Sequence, residues 1–286
     1  MSQQIFEHLA FLYGSECAKD IYAQLSDLLN SFTEQHPDWS AQKQMTRVSE
    51  RDSILITYGD MVQEPEQAPL ASLADFLNMT IADVISAVHI LPFFPYSSDD
   101  GFSVIDYEQI DPNLGDWADV AQIGRSFRLM FDAVVNHISA ESAWFQAFLQ
   151  DDARYRDYFI SVNPNANLTA VFRPRALPLL TEVETAVGPQ HVWTTFSTDQ
   201  IDLNYANPGT LLAVIKTRRH QDAPVLCQPG SRIHSPGRHR LHLERNWYEL
   251  HPPAPNPYHH PIDSRCFRRR RPAGFHHHGN QRPPQR

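Results

Sequence analysis

Phe6, Leu9, Leu12, Ile21, Leu25, Leu28 and Leu29 recur at helical spacing, which predicts one or two amphipathic helices over residues 4–34. His36-Pro37-Asp38 ends them. The pattern then changes. Ile54-Leu-Ile-Thr-Tyr58 is an unbroken run of apolar, β-branched and aromatic residues stopped by Gly59-Asp60, so it reads as a buried strand. Leu70–Leu77 returns to helical spacing. Ala87-Val-His-Ile-Leu91 is a second buried strand, closed by Pro92. A long loop leads to a helix around Trp117–Ile123, then to a third strand, Leu129–Val135, and a helix over 139–149. Strands without alternation, separated by helices, predict a parallel sheet with helical covering. Residues 150–207 are richer in loops and read as an insertion. Asn207-Pro208 then opens a helix through Leu211, Leu212, Val214 and Ile215. A fourth parallel strand should follow, and Arg218–Pro224 does not supply it.

Composition sharpens that break. The net charge of −9 conceals about −18 before residue 218 and about +9 after it. Residues 218–286 hold 13 Arg, no Lys, 10 of the 15 His and 11 of the 22 Pro. A basic tail on an acidic body ordinarily suggests an anionic partner. Cys17, Cys227 and Cys266 show no metal or redox spacing, and together with the lack of a signal-like start they suggest a cytoplasmic location. No apolar run is long enough to span a bilayer, so no membrane partner is expected.

Polar side chains gather where the predicted strands end. The second strand runs into Pro92-Phe-Phe-Pro-Tyr-Ser-Ser-Asp-Asp-Gly-Phe102, and the third ends Asp132-Ala-Val-Val-Asn-His137. In a parallel barrel, functional groups occupy the C-terminal strand ends. Asp99, Asp100, Asn136 and His137 would then share one mouth. Taken singly, Asp99-Asp100-Gly101 reads equally well as a turn, and Asn136-His137 as a helix entry.

Several segments carry a resemblance. Phe131-Asp-Ala-Val-Val-Asn-His137 resembles the first signature of the α-amylase superfamily (glycoside hydrolase family 13). Ser97–Tyr107, Leu114-Gly-Asp-Trp117 and Phe196-Ser-Thr-Asp-Gln-Ile-Asp-Leu-Asn204 are similar to its next motifs, in order. Ile56–Asp60, His89–Phe94, Phe172–Pro178 and Val192–Phe196 point to the branch of sucrose and glucosylglycerate phosphorylases. The resemblance spans roughly residues 45–217, and the N-terminal helices fit the glucosylglycerate type better.

This resemblance implies an α/β fold of (β/α)8 TIM-barrel type, present in part. The expected parts are an N-terminal helical extension (1–45), the first three βα units (46–150), inserted domain B (151–207) and a barrel helix (208–217). The family works by retention: an Asp after strand four attacks the anomeric carbon, a Glu after strand five protonates the leaving oxygen, and phosphate takes the glucosyl group. Substrates would be an α-glucoside and phosphate, with no cofactor and no metal. Asp99 would bond a glucose hydroxyl, Phe102 would stack on the ring, and His137 would donate to another hydroxyl. Phe196 and Gln200 would line the same pocket. All are binding roles, so no catalytic residue is assigned.

The family next requires a strand reading roughly Phe-Ile-Arg-Leu-Asp-Ala, which this chain lacks. Back-translated and read one base later, Ile233–Tyr248 permits Phe-Ile-Arg-Leu-Asp-Ala-Ile-Ala-Phe-Ile-Trp-Lys-Glu-Ile-Gly, with the nucleophile codon straddling Gly237 and Arg238. The same shift turns Phe275–Pro284 into Ser-Ile-Thr-Thr-Glu-Thr-Asn-Val-Pro-His, with the acid/base codon starting at Gly279. The two lie about 42 positions apart, close to the family spacing. The expectation is therefore a frame shift between Lys216 and Ala223, an out-of-frame and unpacked tail (218–286), and an inactive chain. Arg268–Arg271, His276–His278 and His251–Pro257 then need no nucleic-acid, metal or polyproline ligand. The alternative is a catalytically dead sugar- or nucleic-acid-binding protein that uses its basic tail.

Overall fold

The structure is a computed structural model that describes residues 3–35, 50, 52–169, 171 and 176–217, and the backbone of 232–234. The segment Phe172–Arg175 and the rest of 218–286 lie outside the described residues. Two helices open the chain, α1 (Gln3–Tyr13) and α2 (Ser15–Gln35). Gly14 separates them with φ of 78°, a left-handed value that suits glycine. The periodic residues face inward: Leu9, Tyr13, Ala18, Ile21 and Leu25 form a small core.

The central sheet follows the predicted order. Strands β1 (Ile54–Thr57), β2 (Ala87–Ile90) and β3 (Arg128–Asp132) pair in parallel, with Ile54 opposite Ala87 and Ala87 opposite Arg128. Helix α3 (Pro69–Thr80) joins the first two, and α4 (Trp117–Gly124) leads into the third. Asp116 starts α4 with a capping box. Its carboxylate accepts from the Ala118 and Asp119 amides, and the Asp116 amide donates in turn to the Asp119 carboxylate. Leu70, Leu73, Leu77, Val88, Ile90, Val120, Ile123 and Phe131 form the core between sheet and helices. Each such side chain contributes about 1.5–3 kcal/mol by burial.

The inserted region has its own architecture. Strand β4 (His137–Ser139) is followed by α5 (Ala143–Leu149), the hairpin β5 (Leu180–Thr185) and β6 (Gly188–Trp193), and β7 (Gln200–Asp202). β4 and β7 pair antiparallel, and a second core centres on Ile138, Phe145, Phe148, Phe159 and Ile201. Helix α6 (Pro208–Thr217) then packs Leu211, Leu212 and Ile215 against the N-terminal pair. Tyr13 Oη donates to the Tyr205 carbonyl at 2.9 Å just ahead of α6.

Four expectations change. Ile54 and Ile56 are 47% and 61% exposed rather than buried, because β1 is an edge strand among the described residues. The third strand stops at Asp132, and His137 begins an extended strand rather than a helix, since pairing with β7 outweighs local preference. Residues 180–193 form a hairpin within the stretch read as loops. Finally, β8 (Arg232–His234) pairs in parallel with β3, Met130 opposite Arg232, so three residues of the tail expected to be unpacked occupy the fourth position in the sheet. Among the described residues no helix is long and apolar enough to cross a membrane.

Candidate functional site

The loop after β2 folds back on itself. The Ser97 amide donates to the Ser103 carbonyl at 3.0 Å, Ser103 N to Ser98 O at 3.2 Å, and Phe102 N to Asp99 O at 3.0 Å. Its tip takes three left-handed residues in succession: Asp99 (φ 57°), Asp100 (φ 50°) and Gly101 (φ 98°). Aspartate tolerates this region better than most residues. Gly101 has no substitute, because a Cβ there would lie 2.7 Å from the Pro92 carbonyl oxygen.

Opposite the loop, β4 and β7 place His137 and Gln200 side by side. Gln200 is buried. Its Nε2 donates to Asp99 Oδ2 at 2.9 Å and lies 3.1 Å from His137 Nε2, while its Oε1 accepts from Ser197 Oγ at 2.9 Å. His137 Nε2 also lies 3.1 Å from the Phe102 carbonyl oxygen, and its ring centroid is 5.1 Å from that of Phe196. The two contacts of Nε2 need opposite tautomers. With a proton it donates to Phe102 O, and without one it accepts from Gln200. Asp99, His137, Phe196 and Gln200 therefore meet in one array of carboxylate, imidazole, aromatic ring and amide, which Phe102 joins through its carbonyl oxygen while its ring packs against the central core. Asn136 does not join it, because its Nδ2 donates to Asp202 Oδ1 at 3.1 Å.

Other residues complete the neighbourhood. Burial and the carboxylates of Asp100, Asp99, Asp132 and Asp60 push the Tyr58 phenol up, so it keeps its proton at the mouth of the sheet. His89 Nε2 and Asp132 Oδ2 meet at 3.0 Å, both buried, between β2 and β3. Asp202 accepts from Thr195 N and Thr195 Oγ1, each at 2.7 Å. Burial nevertheless pushes its carboxyl up to about 7 against the pull of those bonds. For Asp199, burial raises the carboxyl too, but bonds from Ser97, Ser98, Ser103 and the Ala140 amide outweigh it and hold it below the usual range. Sequence reading assigned no role to Tyr58, Asp199 or Asp202, although all three lie in the motifs that carried the resemblance. Among the described residues, no group of three or more His, Cys, Asp or Glu side chains is placed to hold a metal ion.

A parallel sheet with helical covering, an inserted lobe after β3 and a polar array at the strand ends define an α-amylase-type fold. Residues 81–220 match the catalytic domain of α-amylase, and this part of the chain belongs to that family. Within it, the homologues are phosphorylases. The chain is 51% identical over 216 residues to a glucosylglycerate phosphorylase of Allomeiothermus silvanus, covering 76% of this chain and 38% of the relative. It is 39% identical over 251 residues to the glucosylglycerate phosphorylase of Escherichia coli, covering 86% and 44%. The E. coli match is long enough that it must run past Lys216. Among solved structures, sucrose 6F-phosphate phosphorylase from Thermoanaerobacter thermosaccharolyticum superposes with a TM-score of 0.54 at 30% identity, over 62% of this chain and 38% of that one. The chain thus spans about 38–44% of the length of these relatives.

Proposed function

We propose that this chain is the sugar-gripping front part of a retaining α-glucoside phosphorylase, of glucosylglycerate or sucrose type, and that it lacks the catalytic pair. The observation that carries this is the array of Asp99, Gln200 and His137 beside Phe196, on a chain 51% identical to a glucosylglycerate phosphorylase over 216 residues. The carboxylate accepts from a sugar hydroxyl, the amide and imidazole donate to its neighbours, and the Phe196 ring covers the apolar face of the pyranose. Held on three separate segments, these groups fix the orientation of the anomeric carbon and leave its chemistry to others. An Asp nucleophile and a Glu acid, followed by phosphate attack on the glucosyl intermediate, would complete the reaction.

No such Asp or Glu follows β3 at the family's spacing in the sequence as it stands. A one-base shift between Lys216 and Ala223 accounts for both losses; the family match ends at residue 220, whereas the match to the E. coli relative runs past it. The purified 286-residue chain is expected to release no glucose 1-phosphate from glucosylglycerate or sucrose with phosphate. Measured release overturns the proposal. Sequencing codons 210–240 tests the cause: an insertion or deletion, with an open alternative frame, supports the shift. Correcting that frame should then restore phosphorolysis, and a gene with no such open frame refutes the shift.

A further inference from the structure

One residue outside the array, Asp199, bonds the loop through its carboxylate and the end of β4 through its carbonyl, and it directly precedes β7. Asp199 Oδ2 accepts from Ser97 Oγ and Ser98 Oγ, each at 2.6 Å, and from Ser103 Oγ at 2.7 Å. These serines bracket Asp99 and Phe102 in the loop after β2. Ser139 Oγ lies 2.6 Å from Ser97 Oγ. Because the one proton of Ser97 goes to Asp199, Ser139 donates and extends the chain into β4, two residues beyond His137. The Ala140 amide donates to the Asp199 carbonyl at 2.8 Å, and Asp199 directly precedes Gln200 in sequence. Loop, β4 and β7 thus share one bonded centre.

The loop needs such a centre. Asp99 and Asp100 both hold positive φ, a backbone state disfavoured for residues with a Cβ. Their like charges at adjacent positions favour separation as well. Ser103 and Ser139 are fully buried, so their hydroxyls have no water to replace a lost partner. Linked hydroxyls ending on an ionised oxygen strengthen one another.

We propose that Asp199 is the positioning residue of the site: its carboxylate clamps Ser97–Ser103 in register with β4 and β7, so that Asp99 reaches Gln200 and the Phe102 carbonyl reaches His137. The proposal rests on the sugar-site reading for its purpose, but the clamp itself is testable without sugar.

The test compares the full 286-residue chain with its Asp199→Ala variant by amide hydrogen exchange and by the imidazole ¹⁵N signals of His137, assigned through His137→Asn. Exchange across 97–103 is expected to rise about tenfold or more, as loss of charge-assisted bonds predicts. Strands 87–90 and 128–132 should keep their rates, and the His137 signals should move. The triple variant Ser97→Ala, Ser98→Ala, Ser103→Ala should reproduce this, and adding Asp199→Ala to it should change little more. Unchanged exchange at 97–103, an equal rise in the strands, unmoved His137 signals or additive effects overturn the clamp. If Asp199→Ala does not fold, Ser98→Ala alone must raise exchange selectively at 97–103, and no rise overturns the proposal. Adding D-glucose tests the other reading separately. Protection of 97–103 and 196–200 supports it, and its absence refutes the sugar site while leaving the clamp standing.

Discussion

Asp199 and Asp202 lie three residues apart on one segment, yet their carboxyls are pushed in opposite directions. Asp199 is half-buried and ends below the usual range because three serines bond to it. Asp202 is buried and ends near 7, because desolvation exceeds the help from Thr195 and Asn136. The contrast follows the two walls of the array. The loop wall, with Asp99 and Phe102, bends its backbone to reach the site and is tied down at a charged, partly wet point. The strand wall, with His137 and Gln200, uses ordinary extended backbone and is held by the ladder between β4 and β7 and by the core beneath it. Each side of such an array can thus be secured by electrostatics from outside or by packing from within, and each kind should fail under a different perturbation.

The largest expected effect is on the strand wall and depends on pH. Asp202 has a folded value raised from 3.8 to about 7, so folding favours its protonated form. Its contribution is fully present below about pH 4. Between 4 and 7 the unfolded chain ionises while the folded one resists, so stability falls as pH rises and levels off above 7. The ceiling is about 4 kcal/mol at 1.36 kcal/mol per pKa unit. Urea unfolding from pH 4 to 8 should show this decline, and Asp202→Asn should flatten it. An equal slope in the variant rules out Asp202 as the source. Asp199 has the opposite sign: its contribution is present above about pH 4 and is lost as pH falls through its lowered value. Acid should therefore loosen the loop wall while it favours the strand wall.

Two substitutions separate the walls by mechanism. Ile201→Ala empties a fully buried position between β4 and the core of the inserted region, at a cost of about 3 kcal/mol. Its urea midpoint should drop, with exchange rising over 137–139 and 200–202. Gly101→Ala creates no cavity. It sets a Cβ against the Pro92 carbonyl and forces alanine to φ of 98°, costing about 2 kcal/mol. Here exchange should rise in 97–103 alone. If both variants loosen the same segments, the walls are not held independently.

What the sequence disclosed follows the same division. Unbroken apolar runs marked β1, β2 and β3, because such strands are written in consecutive residues. Convergence of Asp99 with His137 could be inferred from strand ends alone. Strand β4 could not, since the pairing of His137 with Asp202 joins residues far apart in the chain. The hairpin does carry a local signal: Leu180-Thr-Glu-Val-Glu-Thr185 leans toward alternation, and its exposure alternates from Thr181 onward. The serines around Asp199 carry no local signal, because hydroxyls in a turn-rich loop usually satisfy their own backbone. Strand β8 was hidden for a different reason: nothing in Arg232-Ile-His234 distinguishes it from the charged sequence around it.

The smallest expected effect tests whether the strand wall extends to the N-terminal helices. Tyr13 Oη donates to the Tyr205 carbonyl, and Tyr205 Oη donates to the Val135 carbonyl, two residues ahead of His137. Burial pushes the Tyr13 phenol up to about 12, so it remains a donor across the neutral range. Tyr13→Phe keeps the ring among Leu9, Ala18 and Ile21 but leaves the Tyr205 carbonyl without that donor, at a cost of about 1 kcal/mol. Tyr205→Phe should cost a similar amount by releasing Val135. If the helices, Tyr205 and β4 form one bonded unit, the double variant should cost less than the sum of the two, since losing either link already frees the segment between them. Exchange at 97–103 should stay unchanged in all three variants. Strict additivity, or a response in the loop, would show that the N-terminal pair packs on α6 without bracing the wall that carries His137.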